Sequence, residues 1–256
     1  MRVAACQLDA AWEDKRANFA KARALLAGAG LPPGAFAALP EMFATGFSMN
    51  AAGIAEREGG ETEAFLSGLA RELGIFLAGG VAREGRGGKG RNEAVVFGPD
   101  GTLRARYAKM HPFSYGGEDR HYEAGEDVTV FEVGGLRGAL FICYDLRFPE
   151  VFRRAVRRGA DFLVVIASWP DARQAHWRTL LEARAIENQA FVLGVNRTGR
   201  DPRHAYAGGS RLLDPQGRPL FEAGSGEGVF GAEIDPAAAA AWRREFPALR
   251  DARPGL

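Results

Sequence analysis

The chain has 256 residues, 46% apolar and 25% charged, with 33 Lys and Arg against 32 Asp and Glu. That composition excludes a disordered chain, and a net charge of +1 gives no general attraction to nucleic acid or an anionic membrane. Arg153, Arg154, Arg157 and Arg158 form the one candidate basic patch. Two cysteines, Cys6 and Cys143, are too few for a disulfide framework, and no apolar run approaches the roughly 18–20 residues of a membrane span. The opening MRVAACQLDAAWED meets acids too early for a secretory signal, so the expected setting is the reducing cytoplasm.

Val3 to Leu8 reads as a buried strand. Glu13 to Ala27 reads as a helix, with Phe19, Ala22, Leu25 and Leu26 on one face, stopped at Leu31-Pro32-Pro33-Gly34. A short apolar run, Ala35 to Leu39, ends at Pro40-Glu41. A second helix spans Glu61 to Leu73, and Ile75 to Val81 is a strand. Arg83 to Arg91, with four glycines and no apolar residue, reads as a loop. Ala94 to Phe97 and Thr102 to Tyr107 make a hairpin about Gly98-Pro99-Asp100-Gly101, and Val128 to Val133 with Leu136 to Cys143 make another. Glu150 to Arg158 is helical and Phe162 to Ser168 is a central strand. Ala172 to Gln189 is a helix and Phe191 to Asn196 a strand. Ser210 to Leu213, Pro219 to Glu222 and Val229 to Ile234 are turn-punctuated strands. Asp235 caps a last helix with Pro236 at its first position. Strands and helices alternate, but hairpins interrupt, so the expectation is an α/β fold of mixed sheets with helices outside, in one domain over 1–256.

Three residues stand where chemistry is usually placed. Cys143 ends an apolar strand and is followed by Tyr144-Asp145-Leu146-Arg147, at the kind of strand end where α/β folds put active sites. Glu41 ends an apolar run, and Lys109 follows a strand. Singly, each has an ordinary reading: a core cysteine, a solvated loop acid and a solvated lysine. A thiol nucleophile needs a base, and neither a papain-like Cys/His setting nor a glutamine-amidotransferase glycine elbow surrounds Cys143. No Walker loop and no metal-ligand spacing is present, so neither a nucleotide cofactor nor a metal is implied.

Together the three resemble something known. Leu39-Pro40-Glu41, Tyr107-Ala108-Lys109-Met110-His111 and Phe141-Ile142-Cys143-Tyr144-Asp145-Leu146-Arg147-Phe148-Pro149-Glu150 are similar, in order, to the three catalytic blocks of the nitrilase superfamily of carbon–nitrogen hydrolases. Glu118, seven residues before Gly125, matches that family's second glutamate. Ala167-Ser168-Trp169-Pro170, His176-Trp177 and Gly194-Val195-Asn196-Arg197 also look like family blocks, so the resemblance covers nearly the whole chain. Glu41 to Phe47, with Cys143 to Pro149, resembles the omega-amidase branch, which hydrolyses the terminal amide of 2-oxoglutaramate-, 2-oxosuccinamate- and succinamate-like acids. Met110 and Pro112 depart from the expected wording beside Lys109.

The resemblance implies a four-layer α-β-β-α sandwich and a homodimer formed through an α-face, with Arg153, Arg154 and the 171–189 helix at the interface. It implies no cofactor. Cys143 is then the nucleophile and Glu41 the general base and acid, in a partly desolvated site. Lys109 and the Tyr144 N–H stabilise the oxyanion, and Glu118 orients Lys109 or the substrate. Held between two carboxylates, Lys109 is expected to stay protonated. The substrate is a small-molecule amide. Its free carboxylate is assigned to Arg147, whose other reading is a salt bridge to Glu150 or Asp145. Phe43, Phe47, Tyr115 and Trp169 are expected pocket walls, with core packing as the other reading. Other superfamily branches stay open: N-carbamoyl-amino-acid hydrolase, nitrilase or aliphatic amidase. So does a non-catalytic scaffold.

Overall fold

The structure is a computed structural model that describes residues 1–253; residues 254–256, the end of the expected 1–256 domain, lie outside it. The first half runs β1 (Arg2–Gln7), α1 (Lys15–Gly28), β2 (Phe36–Ala38), α2 (Ala51–Ile54), α3 (Glu61–Leu73), β3 (Phe76–Glu84), β4 (Gly90–Phe97), β5 (Leu103–Ala108), α4 (Glu118–His121), β6 (Tyr122–Glu123), β7 (Val130–Val133) and β8 (Leu136–Ile142). The second runs α5 (Pro149–Arg157), β9 (Phe162–Ala167), α6 (Gln174–Asn188), β10 (Phe191–Asn196), β11 (Thr198–Arg200), β12 (Ala205–Ala207), β13 (Arg211–Leu213), β14 (Pro219–Glu222), β15 (Gly228–Glu233) and α7 (Ala237–Glu245).

Two mixed sheets result. One has the order β15-β1-β2-β3-β4-β5, with β6 added to β4; the other has β14-β13-β10-β9-β8-β7. In each, three central strands are parallel (β1, β2, β3 and β8, β9, β10) and antiparallel strands extend both sides. Alternation within strands assigns the faces. Val3, Ala5, Phe36, Ala38, Ala94 and Val96 point to the core shared with the second sheet, while Ala4, Cys6, Ala37, Leu77 and Val95 point to Ala22 and Leu26 of α1 and Leu66 and Leu69 of α3. Phe36 meets Phe162 edge to face at 5.2 Å across the shared core. On the far side α5 and α6 cover the second sheet: Phe152 stacks on Phe141 at 3.9 Å, and Gly194 leaves room for Leu181 and Trp177. The layers are therefore α-β-β-α, as the resemblance implied.

Some elements differ from the sequence reading. The segment 83–91 is a loop over 85–89, as read, but its ends are strand, because β3 runs to Glu84 and β4 starts at Gly90. Its strand-borne arginines are paired, Arg83 with Glu93, which is buried, and Arg91 with Glu123. Gly85 to Gly90 spells G-x-G-x-x-G, but it joins two antiparallel strands and leads into no helix, which is not the setting of a phosphate-binding loop. The first helix starts at Lys15, where Asp14 accepts from Ala17 N at 3.0 Å, and Pro236 precedes the last helix instead of opening it. The hairpin of β11 and β12 carried no apolar periodicity to reveal it. Of the candidate basic patch, Arg153 donates to Glu187 O, and Arg154 and Arg158 meet Asp127, so internal partners take up much of its charge.

Candidate active site

Glu41, Lys109, Glu118 and Cys143 come together at the seam between the sheets. Glu41 lies in the turn after β2, Lys109 one residue past β5, Glu118 at the start of α4, and Cys143 one residue past β8. The turn at Glu41 is tight. Met42 takes φ +45°, and β3 passes so close behind that a Cβ on Gly80 would lie 2.7 Å from Glu41 Cα. Cys143 also takes φ +46°, where a non-glycine residue is strained, and it opens a 3-10 turn, Cys143–Arg147. Asp145 anchors that turn. Its carboxylate accepts from Ile142 N at 3.0 Å, Tyr107 OH at 2.7 Å and His111 N at 3.0 Å, and His111 Nδ1 lies 2.8 Å away. Tyr144 is the second residue of the turn, ahead of the first intrahelical donor, so its N–H needs an outside partner.

Lys109 is fully buried with both carboxylates. Its Nζ donates to Glu41 Oε1 at 2.8 Å and to Glu118 Oε2 at 2.8 Å and Oε1 at 3.1 Å. Asn92 Nδ2 donates to Glu41 Oε1 at 2.7 Å and Glu118 Oε1 at 2.8 Å. The other oxygen of Glu41 accepts from Ser168 N at 2.9 Å, on the second sheet, and Phe113 N donates to Glu118 at 2.6 Å. Burial works against the Lys109 charge, but Glu118 and then Glu41 outweigh it, so its ammonium titrates above the usual lysine value. Burial lifts Glu118 above the usual carboxylate range; Lys109 opposes this and Glu41 adds to it. Burial and then the Glu41 carboxylate push the Cys143 thiol well up, against the pull of Lys109. The resting sulfur is thus a thiol beside a carboxylate that can take its proton, with a fixed cation next to both.

A cavity open to solvent leads to Cys143. Phe47, Phe113, Tyr144, Arg147, Ser168, Trp169, Pro170, Arg173, His204 and Tyr206 line it. Trp169 is held by Asn196, whose Oδ1 accepts from Trp169 N at 2.7 Å. Arg147 faces the cavity, its guanidinium 4.7 Å from the centre of the Trp169 ring, and it pairs with neither Glu150 nor Asp145. Two expected walls are misplaced. Phe43 is wholly buried on the opposite face of the first sheet, 6.1 Å from both Phe19 and Phe65, because the tight turn at Met42 sends it toward α1 and α3. Tyr115 is 88% exposed and stands only at the outer mouth. Sequence reasoning missed Asn92, Phe113, Arg173, His204 and Tyr206. None carries a spacing signal, and the last two ride on the undetected hairpin. Among the described residues no group of His, Cys, Asp or Glu is arranged to hold a metal, and no helix is long and apolar enough to cross a membrane.

A family model described as carbon-nitrogen hydrolase matches residues 2–244. A 2-oxoglutaramate amidase of Bacillus subtilis is 36% identical over 219 residues, 85% of each chain. An omega-amidase of Yersinia enterocolitica is 42% identical over 217 residues, 83% of this chain and 82% of that one. Among solved structures, a CN-hydrolase superfamily protein of Xanthomonas campestris, with an arsenic adduct in its active site, superposes with a TM-score of 0.93 at 37% identity, over 100% of this chain and 98% of that one. The chain belongs to the carbon-nitrogen hydrolase family, in the omega-amidase-like branch of the nitrilase superfamily.

Proposed function

We propose that this protein is an omega-amidase, which hydrolyses the terminal amide of a small monoamide bearing a free carboxylate, such as 2-oxoglutaramate, 2-oxosuccinamate or succinamate, and releases ammonia. The observation that carries this reading is a buried Glu41–Lys109–Glu118 cluster behind the Cys143 thiol, which itself lines a cavity whose wall presents Arg147 without a carboxylate partner among the described residues. The names of the relatives support it.

Cys143 Sγ attacks the amide carbonyl carbon while its proton passes to Glu41. Negative charge gathers on the carbonyl oxygen, where Lys109 Nζ and Tyr144 N–H receive it. Collapse breaks the C–N bond, Glu41 returns the proton to the departing nitrogen, and ammonia leaves a thioester on Cys143. Glu41 then takes a proton from water, whose oxygen attacks the thioester carbon; collapse breaks the C–S bond, Glu41 returns that proton to the departing Cys143 Sγ, and the acid is freed. Glu118 fixes Lys109, and through Asn92 it shares a donor with Glu41. Arg147 takes the substrate carboxylate, and Phe47 and Trp169 enclose its stem.

The proposal includes one domain over the whole chain, acting as a homodimer in the cytoplasm. Cys6 and Cys143 stand free, which suits a reducing compartment. Ile186 on α6 is 56% exposed, which suits burial of that helix against a second copy. The test is ammonia release by wild type and Cys143→Ala over 2-oxoglutaramate, succinamate, glutamine, an N-carbamoyl amino acid and a simple nitrile. Cysteine-dependent release from the first two supports the proposal. Carbon dioxide beside ammonia from the carbamoyl compound, or turnover of the nitrile alone, moves the branch. Release by Cys143→Ala refutes the mechanism.

A further inference from the structure

The cavity wall holds a charge that this mechanism leaves unused. Arg173 lines both the inner cavity and its outer mouth, and so does Arg147. Neither has a carboxylate within ion-pair distance among the described residues, whereas Arg83, Arg91, Arg106, Arg197 and Arg211 all do. Each guanidinium instead rests near aromatic rings: Arg147 is 4.7 Å from Trp169 and 5.9 Å from Tyr144, and Arg173 is 5.5 Å from Phe113.

Arg173 is also badly placed for stability. It is the N-cap residue of α6, where the helix dipole is positive; it offers no side-chain cap, and the first turn of α6 has no acid. Its backbone is nonetheless pinned, since Trp169 Nε1 donates to Arg173 O at 2.8 Å. The two arginines feel each other: burial first, and then Arg173, hold the Arg147 guanidinium below its usual value. No Asp or Glu lines the cavity to offset them. Two repelling cations on one wall, with a helix N-terminus that has no side-chain cap behind, are compensated when a ligand brings the anion.

We propose that Arg173 is a specificity-determining residue: with Arg147 it receives the tail carboxylate of the substrate, and the pair rejects amides that carry an ammonium beside that carboxylate. The inference rests on the amidase reading of the site. Its consequence is chemical. 2-Oxoglutaramate and glutamine differ only at the α-carbon, a ketone in one and an ammonium in the other. A ketone oxygen is a hydrogen-bond acceptor for either guanidinium. An ammonium would be a third cation in a cavity whose lining holds no acid.

The experiment measures kcat and KM of the full chain on 2-oxoglutaramate, succinamate and glutamine, for wild type, Arg173→Gln and Arg173→Lys. Arg173→Gln raises KM for the two anionic amides roughly ten- to a hundredfold, as expected for loss of a charge-assisted hydrogen bond, and changes kcat far less. Arg173→Lys restores most of the affinity. Preference over glutamine narrows in Arg173→Gln, and the rise of KM with salt becomes shallower. The melting temperature of Arg173→Gln is unchanged or higher, because a cation has left a helix N-terminus. A KM within twofold of wild type for both anionic amides in Arg173→Gln overturns the role of Arg173 and leaves the amidase reading standing. A wild type that cleaves only neutral amides or nitriles, or nothing, overturns both.

Discussion

Replacing Lys109 by methionine keeps a straight buried stem and removes only the charge. The structure gives the scale. Glu41 and Glu118 both accept from the one Asn92 nitrogen, at 2.7 and 2.8 Å, so their oxygens lie no further apart than the sum of those contacts. At an effective dielectric of about 20, two carboxylates at that range repel by about 3 kcal/mol or more. Lys109, 2.8 Å from each, is what holds them together. Without it one carboxyl takes up a proton. Breaking a buried ion pair from one side costs about 3–5 kcal/mol, against a typical total of about 5–15 kcal/mol. The variant therefore folds, with a melting temperature lower by about 10 °C. The deficit depends on pH. Glu118 already titrates above its usual range, and in Lys109→Met it rises further. A carboxyl raised in the folded state holds a proton that the unfolded chain has lost, so stability falls as pH rises through that window. Urea unfolding at pH 5.5 and pH 8, beside ammonia release, tests this. The variant should lose at least a hundredfold in turnover, and its stability deficit should be larger at pH 8. A deficit under about 1 kcal/mol, or one independent of pH, would refute the claim that Lys109 neutralises the two acids.

Glu41→Gln removes the main charge that pushes the Cys143 thiol up and leaves Lys109 beside it. Alkylation of Cys143 by iodoacetamide should then run faster at pH 7, about tenfold for each unit the thiol falls, while amide hydrolysis stops; slower alkylation would contradict the reading. Gly80→Ala puts a methyl group against the backbone of Glu41 and Met42, so denaturant titration should show a loss of about 2 kcal/mol or more together with reduced turnover, and a variant with wild-type values of both would argue against a close-packed turn. Asp145→Ala strips the strained turn of its anchor. It should cut kcat at least tenfold and leave KM for succinamate nearly unchanged, with Asp145→Asn in between, as read from initial rates; equal losses in kcat and KM would place Asp145 outside the positioning of Tyr144.

What the sequence discloses follows from how each signal arises. β10 is legible to the residue, because a run such as Phe191 to Asn196 has no other place in a globular fold than a buried central strand. Glu41, Lys109 and Cys143 are legible only through the order of three blocks, since one acid, one lysine and one cysteine each have an ordinary reading. Their convergence depends on β2, β5 and β8 ending at the same seam, which no local pattern encodes. Phe43 misleads for the same reason. It sits two residues from Glu41, yet a single positive φ between them turns it to the other face of the sheet. Asn92 is silent, as one amide in a strand has no period. Four glycines without an apolar residue made 83–91 read as loop throughout, although its ends are strand, where Glu93 and Glu123 neutralise Arg83 and Arg91.

The pairing of β1 with β15 joins Arg2 to Glu233 and Gln7 to Gly228. Gln7 also donates to Gly224 O and Gly226 O and accepts from Ser210. β1 therefore leaves the ribosome long before β15, the strand that covers its edge. Through most of synthesis β1 carries a bare edge of unpaired backbone on an apolar segment, the arrangement from which strands recruit neighbouring chains. Closing a loop of that length also delays the final step of folding. A nascent chain stalled before residue 228 would expose that edge. Aggregation of truncated translation products, not loss of the finished enzyme, is then the main hazard in producing this protein.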